Sequence, residues 1–219
     1  SQISYDLDGG NVDAALTSVY NIDTETITLP TPTKEGYSFS KWIDLDTNNE
    51  IKSIVKGTVG DKKLKALWVA NSYKINYTLN KKDAVLPDSA DNNRTFGKDI
   101  TLATPSKQGY VFDGWYDNAD LTGSAYTSDR LKNLASDVTL YAKWSPAQYK
   151  ITYDLGLGST YATMPAYSDT YTVDSPVVLP VPVWAGHTFK SWDLNGTNIT
   201  TTAGLLGDVT VKAIWNEDV

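Results

Sequence analysis

Few side chains in this chain of 219 residues are of a type that does covalent or metal chemistry, and their spacing argues against most of it. His187 is the only histidine, and there is no cysteine. A catalytic triad needs an imidazole between a nucleophile and an orienting acid, and zinc sites draw on Cys and His. One lone histidine leaves neither, and its place among the aromatics makes packing the better reading. The run Asp44-Leu45-Asp46-Thr47-Asn48-Asn49-Glu50 opens like a calcium loop. Such a loop wants glycine at its sixth place and glutamate at its twelfth, where Asn49 and Val55 stand, so a solvated acidic turn is the plainer reading. Asp6 with Asp8, and Asp117 with Asp120, are carboxylate pairs of the kind glycoside hydrolysis uses. The first pair sits beside turn glycines, and neither recurs through the chain. Asn76, Asn93, Asn195 and Asn198 open Asn-x-Thr triplets, acceptors only in a glycosylating host and expected by chance in a threonine-rich chain. No catalytic residue, metal site or cofactor is predicted.

What the chain does repeat is aromatic. Pro32-Thr-Lys-Glu-Gly36-Tyr37-Ser-Phe39-Ser-Lys-Trp42 returns as Pro105-Ser-Lys-Gln-Gly109-Tyr110-Val-Phe112-Asp-Gly-Trp115 and as Pro182-Val-Trp-Ala-Gly186-His187-Thr-Phe189-Lys-Ser-Trp192. The copies are 73 and then 77 positions apart, a period that suits whole small domains in tandem. Three domains are expected, over residues 1–70, 71–146 and 147–219. Domains of this size lie near the lower limit for a self-sufficient core. Large rings answer that shortage because each buries more area than an aliphatic side chain. The expected core is therefore Trp42, Trp115 and Trp192, the terminal Trp68, Trp144 and Trp215, and Phe39, Phe112 and Phe189. Trp184 is the exception. It stands where Lys34 and Lys107 stand, which suggests a slot that faces water and makes it, with Val183 and Ala185, the candidate partner contact; the other reading folds it over a local groove or onto an adjoining repeat.

The elements that position these rings can be read from alternation. Ile3-Ser-Tyr5-Asp-Leu7, Ile75-Asn-Tyr77-Thr-Leu79 and Ile151-Thr-Tyr153-Asp-Leu155 each predict a half-buried opening strand. Polar stretches of varying length, about 11–24, 81–94 and 158–171, read as loop. A second strand is expected at 26–29, 99–102 and 176–179, stopped by proline. One helical turn closed by a left-handed glycine should follow, as at Pro105–Gly109. Trp115 lies three past Phe112, so a bulge near Gly114 is needed to bring both rings to one side. Ser128 reads as the N-cap of a short helix or 3₁₀ turn, with Ile51 and Ile54, and Leu205 and Leu206, as its counterparts. A last strand ends each unit, and Lys62 in place of Val138 predicts a late start in the first. The joints Trp68 to Ile75 and Trp144 to Ile151 both span seven positions without Gly/Ser-rich sequence, so the units should abut as a rod.

Tyr73-Lys-Ile75-Asn-Tyr77, Gly109-Tyr110-Val-Phe112-Asp-Gly-Trp115 and Asp137-Val-Thr-Leu-Tyr-Ala-Lys-Trp144, with their counterparts in the other units, resemble the internalin-type B-repeat, also called the Listeria–Bacteroides repeat. The resemblance covers nearly the whole chain. It implies a β-rich α+β architecture of three tandem small β-grasp (ubiquitin-like) domains, and a place on the bacterial cell surface as a segment of a larger exported protein. It carries no catalytic site. The chain departs from the pattern at Trp184, at His187 where the other units have Tyr37 and Tyr110, and at Ser1-Gln2 in place of Tyr-Lys.

Net charge is −7, which argues against nucleic acid and anionic membrane surfaces. Basic and acidic residues number seven and ten in 1–71, nine and nine in 72–147, and three and seven in 148–219, so the middle unit differs from its neighbours. No apolar run is long enough to span a bilayer. There is no signal segment at Ser1, and the ends fall near repeat boundaries, as in a piece of something longer. A non-enzymatic stalk is expected, with weak self-association and contact to a host or bacterial surface protein or glycan. The other expectation is a dedicated protein- or glycan-binding module with the third unit as its binding part.

Overall fold

The computed structural model of the protein describes residues 1–217. Asp218 and Val219, which end the third expected domain, lie outside them. The chain divides into two compact units. One holds 1–78, 89–103 and 116–140, and the other 79–88, 104–115 and 141 onward. The architecture is β-rich. The first repeat contributes β1 (Ile3–Asp6), β2 (Ile27–Thr28), β3 (Tyr37–Asp44), β4 (Asn49–Ile51), β5 (Ser53–Ile54) and β6 (Lys62–Ala70). The middle repeat has β7 (Ser72–Thr78), β8 (Asn93–Thr95), β9 (Tyr110–Tyr116), α1 (Ser128–Lys132) and β10 (Val138–Pro146). The third has β11 (Tyr149–Asp154), a 3₁₀ turn at Gly156–Gly158, β12 (Thr170–Tyr171), β13 (His187–Leu194), β14 (Thr197–Ile199) and β15 (Val209–Glu217).

In the first sheet the order is β1-β6-β3-β4, and in the third it is β12-β11-β15-β13-β14. Opening and closing strands run parallel, Ile3 opposite Lys62 and Ile151 opposite Val209, while the other pairs are antiparallel. The opening alternation is therefore met by a central ladder with one buried face. Ile3, Leu64, Ala66 and Trp42 are buried in the first cluster, and Ile151, Val211, Ala213 and Trp192 in the third. A register shift between Phe39 and Lys41, repeated between Phe189 and Ser191, supplies the bulge. It brings Phe39 to 5.7 Å from Trp42 and Phe189 to 5.3 Å from Trp192, centroid to centroid. In the middle repeat Gly114 has a φ of +117°, and the Phe112 and Trp115 rings are 5.1 Å apart.

Several local expectations are corrected. The strand expected at 26–29 shrinks to β2, which pairs with β5 outside the main sheet. Residues 99–102 form no strand, and 176–179 makes only a bridge from Val178 to Thr201. Prolines and the turns around them leave those segments without a ladder. The sheet's outer edge is instead made by the ends of the polar stretches read as loop. Ile3, Ile75 and Ile151 donate their amides to Ser18, Asn92 and Asp169 at 2.9, 2.9 and 2.7 Å. Pro105–Gly109 is a tight turn and not a helical one, although its glycine is left-handed as expected. Thr127, not Ser128, caps α1, its Oγ1 accepting from the Arg130 amide at 3.1 Å. Ile51 and Ile54 lie on β4 and β5, and Leu205 lies in a turn, so α1 has no helical counterpart there. β6 begins at Lys62 without delay, because Lys62 meets the buried Asp44 at 3.4 Å.

Candidate functional site

Each repeat makes the same cluster from its Pro-x-x-x-Gly turn and its terminal tryptophan. The amides of Tyr37, Tyr110 and His187 donate back to Lys34, Lys107 and Trp184 at 3.0, 3.1 and 3.0 Å. The glycine before each donor sits at φ +80°, +84° or +82°, a conformation that costs a residue with a Cβ. The terminal indoles fix the other side. Trp68, Trp144 and Trp215 donate Nε1–H to the carbonyls of Leu7, Leu79 and Leu155 at 3.1, 2.7 and 2.9 Å. Between them the ring at 37, 110 or 187 is covered on one face. Lys34 Nζ lies 4.3 Å from the Tyr37 centroid and 5.7 Å from that of Trp68, and it donates to Asp8 O at 2.8 Å. Lys81, from the preceding loop, covers Tyr110 at 4.4 Å.

In the third repeat Trp184 does the same work by stacking. Its ring lies 3.4 Å from that of His187 at 8°, and meets Trp215 edge-on at 5.3 Å. Trp184 is half-buried, because it closes over this cluster. Its neighbours differ. Val183 is 64% exposed although its backbone bridges Thr163, and Ala185 is exposed too. Leu157, Tyr161, Val178 and Val181 of the same repeat are also exposed. His187 Nδ1 is 3.3 Å from Ala185 O, and its ring is engaged in packing.

A second position singles out the middle repeat. Two residues beyond the edge-strand acceptors stand Tyr20, Arg94 and Tyr171, all buried. The Tyr20 hydroxyl donates to Gly60 O, and the Tyr171 hydroxyl to Gly207 O at 2.6 Å. Arg94 reaches the corresponding carbonyl, Ser136 O, with Nη2 at 2.6 Å. It is 5% exposed, and its Nε and Nη1 have no acceptor among the described residues. Burial pushes its guanidinium down from the usual arginine range, with the Tyr73 ring 5.3 Å away. The exchange of Tyr for Arg is masked in the sequence because the loops that precede it differ in length.

The remaining candidates are scattered. Trp42, Trp115 and Trp192 are buried, with Trp42 and Trp192 donating to Pro30 O and Pro180 O at 2.8 and 2.7 Å. Trp68, Trp144 and Trp215, and Phe39, Phe112 and Phe189, are half-buried around them. Asp44 accepts from the Asp46 amide at 2.9 Å as well as meeting Lys62, so it belongs to a closed turn. Asp6 accepts from the Asp8 amide at 2.9 Å, and Asp117 pairs with Arg130 at 2.7 Å. Among the described residues no three His, Asp or Glu side chains group to hold a metal ion, and no helix is long and apolar enough to cross a membrane.

The sequence profile of the Listeria–Bacteroides repeat domain matches residues 2–66, 73–143 and 149–214. Similar proteins include a "Putative membrane protein" of Evansella cellulosilytica, 30% identical over 87% of this chain and 27% of its own length. A "Putative Gly-rich membrane protein" of the same organism is 29% identical over 99% of this chain and 24% of its own. Internalin H of Listeria monocytogenes is 33% identical over 62% of this chain and 24% of its own. The chain spans about a quarter of the length of these relatives.

Proposed function

The chain belongs to the Listeria–Bacteroides repeat family, and from that premise we propose that it is a non-enzymatic, semi-rigid stalk in an exported bacterial surface protein. The units are β-grasp domains over 1–70, 71–146 and 147–219. Supporting this is a strand order in the third sheet of second, first, fifth, third, fourth, with first and fifth parallel. The observation that carries the stalk reading is the closure of the joints. β6 ends at Ala70 and β7 starts at Ser72, and Asn71 between them donates to Gly36 O and accepts from the Phe96 amide, both at 2.9 Å. A flexible linker has no such fixed residues. Taking roughly 30 Å per 70-residue domain, three abutting units make a rod of about 90–110 Å. Small-angle scattering should give one narrow maximum dimension in that range, whereas a broad distribution would refute the stalk.

A second reading, adhesion through the third repeat, is favoured by the exposed Val183, Val178 and Tyr161 on an acidic unit. Its partner would be a protein or glycan of a host or neighbouring cell. Val183→Asp should then weaken binding to cells while leaving the melting temperature unchanged.

A further inference from the structure

The opening and closing strands of each repeat are tied at both ends as well as along their length. Between them runs a parallel ladder, from Ile3 opposite Lys62 to Asp6 opposite Lys65 in the first repeat. In the third it runs from Ile151 opposite Val209 to Asp154 opposite Lys212. Immediately ahead of each closing strand stands an aspartate, which accepts the amide just before the first buried isoleucine of the opening strand. Gln2, Lys74 and Lys150 donate to Oδ1 of Asp61, Asp137 and Asp208 at 2.7, 2.7 and 2.9 Å. At the far end stand the indole bonds from Trp68, Trp144 and Trp215 to Leu7 O, Leu79 O and Leu155 O. In the middle repeat β7 and β10 are sheet neighbours, and these two bonds tie start to start and end to end.

The chain enters each repeat at the start of its opening strand and leaves at the end of its closing strand. Because the two run the same way, tension along the chain draws one back and the other forward. The load then lies along the strands and falls on the ladder and both side-chain ties together. A pull across the strands would instead break the same bonds one at a time. The joints pass the load on. Only Asn71 separates β6 from β7, and the Phe96 ring presses on Gly36 of the preceding repeat, where a Cβ would lie 2.4 Å from it. At the second joint a Cβ on Gly109 would lie 2.7 Å from Val173 Cγ1, and Ala147 donates to Gly109 O at 2.9 Å.

We propose that each repeat is a tension clamp, its parallel terminal strands locked at one end by the aspartate and at the other by the indole, so that the array bears pulling force without lengthening. Resistance to forced unfolding is set by how fast the ladder gives way and not by equilibrium stability, so domains with small cores can supply it. The inference rests on the stalk reading only for the direction of the load. Scattering tests the rod and pulling tests the clamp, so either can fail alone.

Single-molecule pulling tests it, and the absence of cysteine lets handles be attached at chosen positions. Pulled from its two ends, the chain should unfold in three events. Each should release roughly 200 Å, the extended length of about 70 residues less the folded span. Handles at the amino terminus and at Lys63→Cys instead peel β1 from β6, and Lys63 is exposed, so the fold is kept. Each end-to-end event should need several-fold the force of that peel. Equal forces in the two directions would overturn the proposal. Asp61→Ala, Asp137→Ala and Asp208→Ala together should lower the end-to-end force in every event. Asp61→Asn, Asp137→Asn and Asp208→Asn keep an acceptor and should restore most of it. A folded alanine chain that unfolds at the original force would overturn the clamp as drawn. If that chain does not fold, the two pulling directions decide alone.

Discussion

The middle and third repeats share one pattern and meet it with different side chains. Tyr171 donates one hydroxyl to Gly207 O and buries the rest of its ring. Arg94 gives one donor to the matching Ser136 O and buries two more that find no acceptor among the described residues. Past the third strand, the third repeat closes a hairpin, β13 with β14, where the middle repeat has α1, held by Arg130 to Asp117 and Lys132 to Asp99. The aromatic after the turn glycine is covered by Lys81 in one and by Trp184 in the other. The lesson is that this frame tolerates exchange wherever one backbone carbonyl or one ring face has to be met, and not where a large ring fills the centre.

The largest effect should be shared by both repeats. Trp115→Ala and Trp192→Ala each empty a buried indole and should cost roughly 3–5 kcal/mol, nearly all the stability a unit of this size holds. Denaturation followed by amide exchange in each repeat checks this; a tolerated Trp115→Ala would show that the middle repeat has a different centre. Next comes the slot that separates the two repeats. Arg94→Tyr should stabilise the middle repeat by about 1–3 kcal/mol, because it removes two buried unpaired donors and keeps one for Ser136 O. A loss of stability in a urea titration would mean that the guanidinium is better satisfied than its contacts indicate.

A smaller change is expected from Trp184→Lys, which gives the third repeat the covering residue of the first. The loss should be about 1 kcal/mol, the scale of an aromatic pair, and thermal unfolding would report it. A cost of several kcal/mol would make Trp184 part of the centre. The smallest effect is set by pH. Hydrogen bonds from Asn118 and Arg130 hold the Asp117 carboxyl below its usual range, and Lys132 does the same for Asp99. Depressed carboxyl values contribute stability that is present above about pH 4 and is lost as pH falls through them. Protection from amide exchange over 128–132, taken against the intrinsic rate at each pH, should therefore fall below pH 4, while that of the β13–β14 hairpin, closed by backbone pairing, should change less. Equal responses would show that the two ion pairs do not hold α1.

Much of this protein was settled by sequence alone. The threefold Pro-x-x-x-Gly turn, the opening and closing strands and the tryptophans that fill the core all follow from period two alternation and from ring size. These are local or repeated signals, and repetition makes them legible. The outer edge of each sheet was not. Val19, Asn93–Thr95 and Thr170–Tyr171 pair there because the backbone of the opening strand needs acceptors, whatever the side chains, and the loops before them differ in length. Tertiary structure likewise decided that Lys34 and Trp184 lie over the same ring pair, that Arg94 takes a tyrosine's place, and that Phe96 and Val173 seat on glycines of the preceding repeat. Each of these pairings joins residues distant in the chain, and what selects them is space and an unmet carbonyl, neither of which a linear pattern records.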